Sequence, residues 1–319
     1  MKTAIITGIT GQDGSYLAKL LLNKEYRVIG ILRSYNNSAL ARLNLVLDSQ
    51  HIIFEECDLM DISSIFKLLH KYQPDEIYNL AAQSSVGLSF EQPIGTIHFN
   101  TVSVLNLLES IRLVNKAIKF YQASSSEMFG RVKNLPITES TTMHPLSPYA
   151  ISKASSYWTV INYRESYGLF ASNGVLFNHE SPLRSNNFFV KKVILESIKI
   201  SKGLQQVLRV GNIDIKRDFG YAPDYVNAMW LMLQEVQSDD FLICSGKSIS
   251  LREIIYFVFG RLGLDRNRLE IDHALYRPTD IEDMYGDNSK AKRILSWNYN
   301  TSFFDVLDLL IEKELTEFK

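Results

Sequence analysis

Cysteine is nearly absent: two in 319 residues, Cys57 and Cys244, with no CxxC pair. That excludes a disulfide scaffold and a cysteine-based zinc site, and both thiols, in apolar strand-like contexts, are expected to be free and buried. Six histidines, at 51, 70, 98, 144, 179 and 273, show no metal-ligand spacing, so no metal is expected. No apolar run approaches the roughly 18 residues needed to cross a bilayer. No excess of one charge exists either; the formal net charge is −1, which argues against nucleic acid or an anionic membrane as partner. There is no internal repeat and no low-complexity linker. Met1 to Thr7 already reads as a strand, so a signal peptide is not expected and a reducing cytoplasm fits. What remains is an ordinary globular composition, 46% hydrophobic and 22% charged. The length suits one large α/β domain or two intimately joined ones.

Strand-like and helix-like patterns alternate along the first half. Strands are expected at Arg27 to Arg33, Ile52 to Glu55, Glu76 to Leu80, Ile118 to Ala123 and Ala171 to Phe177. Helices are expected at Tyr16 to Leu22, Ile62 to Tyr72, Thr101 to Val114 and Tyr149 to Tyr167. Repeated βα units make a doubly wound, Rossmann-like parallel sheet, with ligands at the C-terminal strand ends. After Phe177 the pattern changes: a loop around Pro182, Arg184 and Ser185-Asn186-Asn187, a helix Phe188 to Lys202, then loop-rich segments 203–223 and 264–289. The division expected is a dinucleotide-binding domain over 1–178, rejoined by a strand near 241–244, and a smaller, interleaved substrate lobe over most of 179–319. Met229, Trp230 and Met232 fall at helical spacing and read as core.

Between the first strand and the first helix stands Gly8-Ile9-Thr10-Gly11-Gln12-Asp13-Gly14. Glycines at spacing three allow a tight turn and close approach of a phosphate, and the helix N-terminus adds free N–H groups; the alternative is an ordinary strand–helix turn. The second strand ends Ile31-Leu32-Arg33-Ser34 with no acid until Asp48. An acid there would hold ribose hydroxyls, whereas a guanidinium suits a 2′-phosphate, so NADP is favoured over NAD. The alternative for Arg33 is a surface cation, and Arg42 is either an assistant or a solvated charge. Asp58-Leu59 and Leu80-Ala81-Ala82 follow the third and fourth strands, where adenine and nicotinamide ribose would pass; the bland reading of the alanines is packing.

Tyr149 and Lys153 stand at i and i+4 on one helical face. The cation is expected to lower the phenol pKa toward that of a working general base. Of sixteen tyrosines, Tyr149 alone has such a partner. Upstream, Ser124-Ser125-Ser126-Glu127 ends a strand with three hydroxyls and a carboxylate. A simple dehydrogenase does not need Glu127; an elimination does, because a C–H proton must be taken and a hydroxyl must leave. The structural alternative is a Ser/Glu helix cap.

These residues, together with Tyr78 to Ser84, Phe120 to Gly130, Ser147-Pro148-Tyr149, Asn178-His179-Glu180-Ser181-Pro182, Lys216-Arg217-Asp218 and Tyr276-Arg277-Pro278, resemble the extended short-chain dehydrogenase/reductase family, within it the GDP-mannose 4,6-dehydratases. The resemblance covers nearly the whole chain. It implies an NADP-dependent hydro-lyase of deoxysugar and polysaccharide biosynthesis that turns GDP-mannose into GDP-4-keto-6-deoxymannose. Tyr149 would take the C4 hydroxyl proton as C4 yields hydride, Lys153 would hold the nicotinamide ribose, and Ser125 matches the catalytic threonine. Glu127 would remove the C5 proton, the C6 hydroxyl would leave as water, and hydride would return to C6. Gly8, Thr10, Gly11, Gln12, Asp13, Gly14, Arg33, Asp58, Leu59, Leu80, Ala81, Ala82, Ser84, Tyr149, Lys153, His179 and Arg184 would face NADP. Ser84, Ser126, Asn178, Lys192, Arg217 and Arg277 would face the GDP-sugar, while neighbouring Lys191 reads as solvated surface charge. A homo-oligomer, dimer or tetramer, is implied, with loop 34–44 resembling the segment that reaches a neighbouring subunit.

Three departures stand out: Ser125 for the family threonine, Ser185 with Asn186-Asn187 where a glycine is usual, and Phe219 for tryptophan. The last two could suit a GDP-D-glycero-D-manno-heptose instead of mannose, or be neutral. A nucleotide-sugar 4-epimerase or 4-ketoreductase would share Tyr149 and Lys153 without needing Glu127. An NADP-binding regulator would be expected to have lost the Tyr/Lys/Glu set.

Overall fold

A computed structural model describes residues 1–36, 40–276 and 279–318, with Ala41 and Arg42 as backbone only. The expected substrate contact Arg277 and the middle of loop 34–44 lie outside the described residues, as does the side chain of Arg42.

In chain order the Rossmann half runs β1 (Thr3–Thr7), α1 (Gln12–Asn23), β2 (Arg27–Leu32), α2 (Leu40–Leu43), β3 (Ile52–Glu56), α3 (Ile62–Tyr72), β4 (Glu76–Asn79), α4 (Val86–Glu91), α5 (Pro93–Val114), β5 (Lys119–Ser125), α6 (Pro148–Tyr167) and β6 (Ala171–Leu176). The remainder is β7 (Asn178–Glu180), α7 (Phe189–Ser201), β8 (Leu208–Val210), β9 (Lys216–Tyr221), α8 (Ala222–Gln234), β10 (Asp240–Ile243), β11 (Ser248–Ser250), α9 (Leu251–Arg261), β12 (Leu269–Ile271), α10 (Ser289–Leu295) and α11 (Phe303–Glu317).

The main sheet has seven parallel strands in the order β10-β6-β5-β4-β1-β2-β3. Chain order reverses direction at β1 and β4, and there a crevice opens beyond the C-terminal strand ends. Strand alternation sorts β1 cleanly: Ala4 and Ile6 join the core beneath α1 and α8, and Ile5 joins the core beneath α3, α5 and α6. Met229 and Met232 are fully buried in the first of these cores. Trp230 lies at its margin, donating to the Tyr26 hydroxyl at 3.1 Å. A separate core joins α7, α9 and α11 around Phe219, which stacks on Phe303 at 4.8 Å.

The structure corrects some expected boundaries. Helix α5 begins at Pro93, eight residues before the expected Thr101. Gly95 and the β-branched Ile94, Thr96 and Ile97 lower helix propensity there, and packing on α6 overrides it. The supposedly loop-rich segments carry β8, β9 and β12; they are short, and short strands leave little periodic signal. Both cysteines are buried and free. Among the described residues no helix is long and apolar enough to cross a membrane.

Candidate active site

The glycine turn is built for close approach. Gly8 has φ +67°, and a Cβ there would meet the Ala81 nitrogen and the Leu80 carbonyl carbon at 2.9 Å. Thr7 closes the gap: its hydroxyl accepts from the N–H groups of both Leu80 and Ala81 at 3.1 Å and donates to Asn79 at 2.6 Å. A Cβ on Gly14 would lie 2.4 Å from the Gly8 carbonyl oxygen. The first turn of α1 therefore sits directly on the loop, with N–H groups that lack helical partners at the crevice mouth.

The opposite wall comes from β5 and α6. Ser147 caps α6 through the Ala150 N–H at 3.1 Å and Pro148 follows, which sets where the helix starts and so where Tyr149 and Lys153 fall. Lys153 donates to the Ala123 carbonyl at 2.7 Å. Ser125 caps the short turn Ser126–Met128, accepting from the Glu127 N–H at 3.3 Å. That bond steers the serine hydroxyl, a task the missing methyl of threonine would share. Met128 and Phe129 are buried, while Glu127 remains part-exposed in the crevice.

The expected lowering of the Tyr149 pKa is not what the structure gives. Burial pushes the phenol up to about 12, with the Glu127 charge adding to the rise and Ser125 opposing it. The Lys153 nitrogen lies 5.9 Å from the ring centre. Lys153 itself is brought down to about 8 by burial. A helical i, i+4 spacing put the two on one face; burial then outweighs the cation.

One cleft of about 890 Å³ gathers most of the sequence-derived candidates. Ser125, Glu127, Tyr149 and Lys153 line it. So do Gly8, Thr10, Gly11, Gln12, Asp13, Gly14, Arg33, Asp58, Leu59, Leu80, Ala81, Ala82, Ser84, His179 and Arg184, and, on the far side, Asn178 and Arg217. Ser126 is buried behind the wall, and Lys192 points elsewhere, donating to the Arg209 carbonyl at 3.2 Å; neither lines the cleft. Lys191 is not solvated: it is 5% exposed and bonds Glu314 and the Pro182 carbonyl.

Sequence reading missed three contributors. Asn100 bonds both the N–H and the carbonyl of Gln83 (2.9 and 3.0 Å) and reaches Ser152 at 3.0 Å, tying the loop after β4 to α6. Glu180 is buried at the cleft with Arg184 at 3.3 Å, and burial holds its pKa above the usual carboxylate range. The third is a link between Asp13 and His179, 166 residues apart. No local pattern reports such contacts.

The comparisons with known proteins give the family and the fold. The family model described as GDP-mannose 4,6 dehydratase matches residues 5–310. The chain belongs to that family. A GDP-mannose 4,6 dehydratase 1 of Arabidopsis thaliana is 44% identical, over 98% of this chain and 90% of its own length. In fold, the chain is similar to a dTDP-glucose 4,6-dehydratase of Bacillus anthracis solved with NAD (TM-score 0.86, 19% identity, covering 99% of this chain and 97% of that one). It is similar also to a Pseudomonas aeruginosa protein titled RMD, solved with NADPH (TM-score 0.83, 22% identity, covering 99% and 100%). Family membership makes this chain an enzyme of the nucleotide-sugar 4,6-dehydratase type, a hydro-lyase on the extended short-chain dehydrogenase/reductase fold.

Proposed function

We propose that the chain converts GDP-mannose to GDP-4-keto-6-deoxymannose with NADP as resident cofactor. The observation that carries this reading is Glu127, a carboxylate standing in one cleft with Ser125, Tyr149 and Lys153. In this reading residues 1–178 hold the dinucleotide, and 179–319, apart from β10, mainly carry the sugar nucleotide.

The residues fit a dinucleotide: the turn at Gly8 and Gly14 has no room for a side chain, and the neighbouring N–H groups face the cleft. When bound, the nicotinamide supplies hydride acceptance at the sugar C4 and hydride return at C6. Tyr149 Oη, in its phenolate form, accepts the C4 hydroxyl proton as hydride leaves C4, and the Ser125 hydroxyl, which opposes the burial-driven rise of the phenol pKa, stabilises that phenolate. Lys153, brought down to about 8 by burial, is held at the Ala123 carbonyl, where a ribose hydroxyl can share its protons. Once C4 is a ketone, Glu127 accepts the C5 proton and returns it to the departing C6 oxygen as water; when hydride is returned at C6, C5 takes up the second proton, which balances the O4 proton accepted by Tyr149. Asn178 and Arg217 face the diphosphate. Exposed Leu105 and Leu113 on α5 and Ile151 and Trp158 on α6 support self-association of the chain, which sedimentation would register.

The test is incubation with GDP-mannose without added reductant. Loss of the mass of one water, with no net change in the dinucleotide, is expected. Turnover of GDP-manno-heptose alone would move the substrate to the heptose, with Ser185 and Phe219 as the positions to exchange. No water loss from either, with dinucleotide bound, would overturn the dehydratase reading.

Arg33 is exposed at the end of β2. Arg33→Ala is expected to weaken NADP binding by roughly tenfold to a hundredfold, the worth of a charged hydrogen bond, while leaving NAD binding within about twofold. Equal losses for both dinucleotides would remove Arg33 from the 2′-phosphate.

A further inference from the structure

Asp13 occupies the first turn of α1, the same helix end whose N–H groups face the diphosphate in the reading above. A bare carboxylate there would repel a phosphate at close range. The structure gives it a partner. His179 Nε2 lies 3.0 Å from both oxygens of Asp13, and His179 Nδ1 lies 2.7 Å from the Phe177 carbonyl oxygen. Both partners are acceptors only, so both ring nitrogens donate, and the ring is an imidazolium.

Everything around the pair holds it in place. Tyr225, fully buried, packs its ring 4.8 Å from the imidazole, in space left because Gly220 has no Cβ. Gln12 donates to Asp13 and to the His179 carbonyl, both at 3.2 Å, and accepts from Ser181 at 2.8 Å. Burial opposes both charges, and mutual attraction outweighs it: the His179 pKa is raised and that of Asp13 lowered. The other charged or titratable groups acting on the pair are Glu180 at the end of β7, Arg184 just beyond it and, on Asp13, Tyr149 and Lys153 of α6 and Tyr121 of β5.

We propose that His179 is a positioning residue: it neutralises Asp13 beside the dinucleotide phosphates and ties the glycine turn to the sugar lobe, with neither ring nitrogen spent on the cofactor. The inference rests on the dinucleotide reading above. It explains why an acid can sit in a phosphate-binding turn, and it makes nucleotide affinity depend on the charge of a histidine that need not touch it. As pH rises through the raised His179 pKa, the imidazolium is lost, Asp13 is uncovered, and NADPH affinity falls.

The test is NADPH binding to the full-length protein by nucleotide fluorescence, from about pH 6 to 9. His179→Gln is expected to bind at least about tenfold more weakly than wild type at the low-pH end, with the gap closing as wild type loses its imidazolium, and Asp13→Asn/His179→Gln to recover to within about threefold of low-pH wild type with no pH dependence. A double variant as weak as His179→Gln would overturn the proposal, because a direct ligand or a mere prop is not rescued by removing a carboxylate. If His179→Gln fails to fold, nitrogen chemical shifts of the wild-type imidazole decide: two protonated nitrogens at neutral pH are expected, and a neutral tautomer overturns it. Wild-type protein that binds no NADPH, yet shows the imidazolium, would count against the cofactor reading and against the role assigned here, while leaving the pair itself intact.

Discussion

Glu127→Gln is expected to bind the sugar nucleotide normally and to lose water elimination by about 10²–10⁴-fold, the range of a removed general base. Glutamine keeps the size and the hydrogen-bonding reach but cannot take the C5 proton. The turn Ser126–Met128 should keep its shape, because its cap is the Ser125 hydroxyl and its anchors are the buried Met128 and Phe129. Oxidation at C4 does not need the carboxylate. The variant should therefore build up reduced dinucleotide and a 4-keto sugar that retains its C6 oxygen, visible together by nucleotide fluorescence and mass spectrometry. Water loss within about threefold of wild type would assign the elimination to another group and leave Glu127 as a local cap.

Lys191→Ala is expected to cost about 3–5 kcal/mol of stability, the penalty for stranding a buried charge. The lysine is 5% exposed and Glu314 7% exposed, and the pair joins α7 to α11. Its third contact, the Pro182 carbonyl at 3.0 Å, anchors the chain just before Arg184. For a protein of this size the melting temperature should fall on the order of 10 °C. The double change Lys191→Met with Glu314→Leu removes both charges and should lose at most about 2 kcal/mol, because an apolar pair of similar volume often replaces a buried ion pair at little cost. Equal losses for the single and double variants, measured by thermal denaturation, would show packing and not charge to be the cause.

Lys191 also marks where local reading stops. Helical spacing puts it on the face of Ile194 and Ile198, both buried, so a buried lysine was legible in principle. Its counter-charge was not, since Glu314 is 123 residues away. Lys192, one position on, turns toward the Arg209 carbonyl and leaves the cleft, a consequence of the roughly 100° between successive helical residues.

The alternation of βα units, the glycine turn, the Tyr149–Lys153 spacing and the hydroxyl-rich end of β5 are all local. Sequence determined them alone, because turn chemistry and periodicity act over a few residues. The tertiary structure decided what depends on burial and on distant partners. It raised Tyr149 instead of lowering it, because desolvation of a buried phenol exceeds the effect of a cation 5.9 Å from its ring. It brought His179 onto Asp13, Asn100 onto Gln83 and Lys191 onto Glu314. Charge pairing across such separations depends on which elements pack together, and packing is a property of the whole chain.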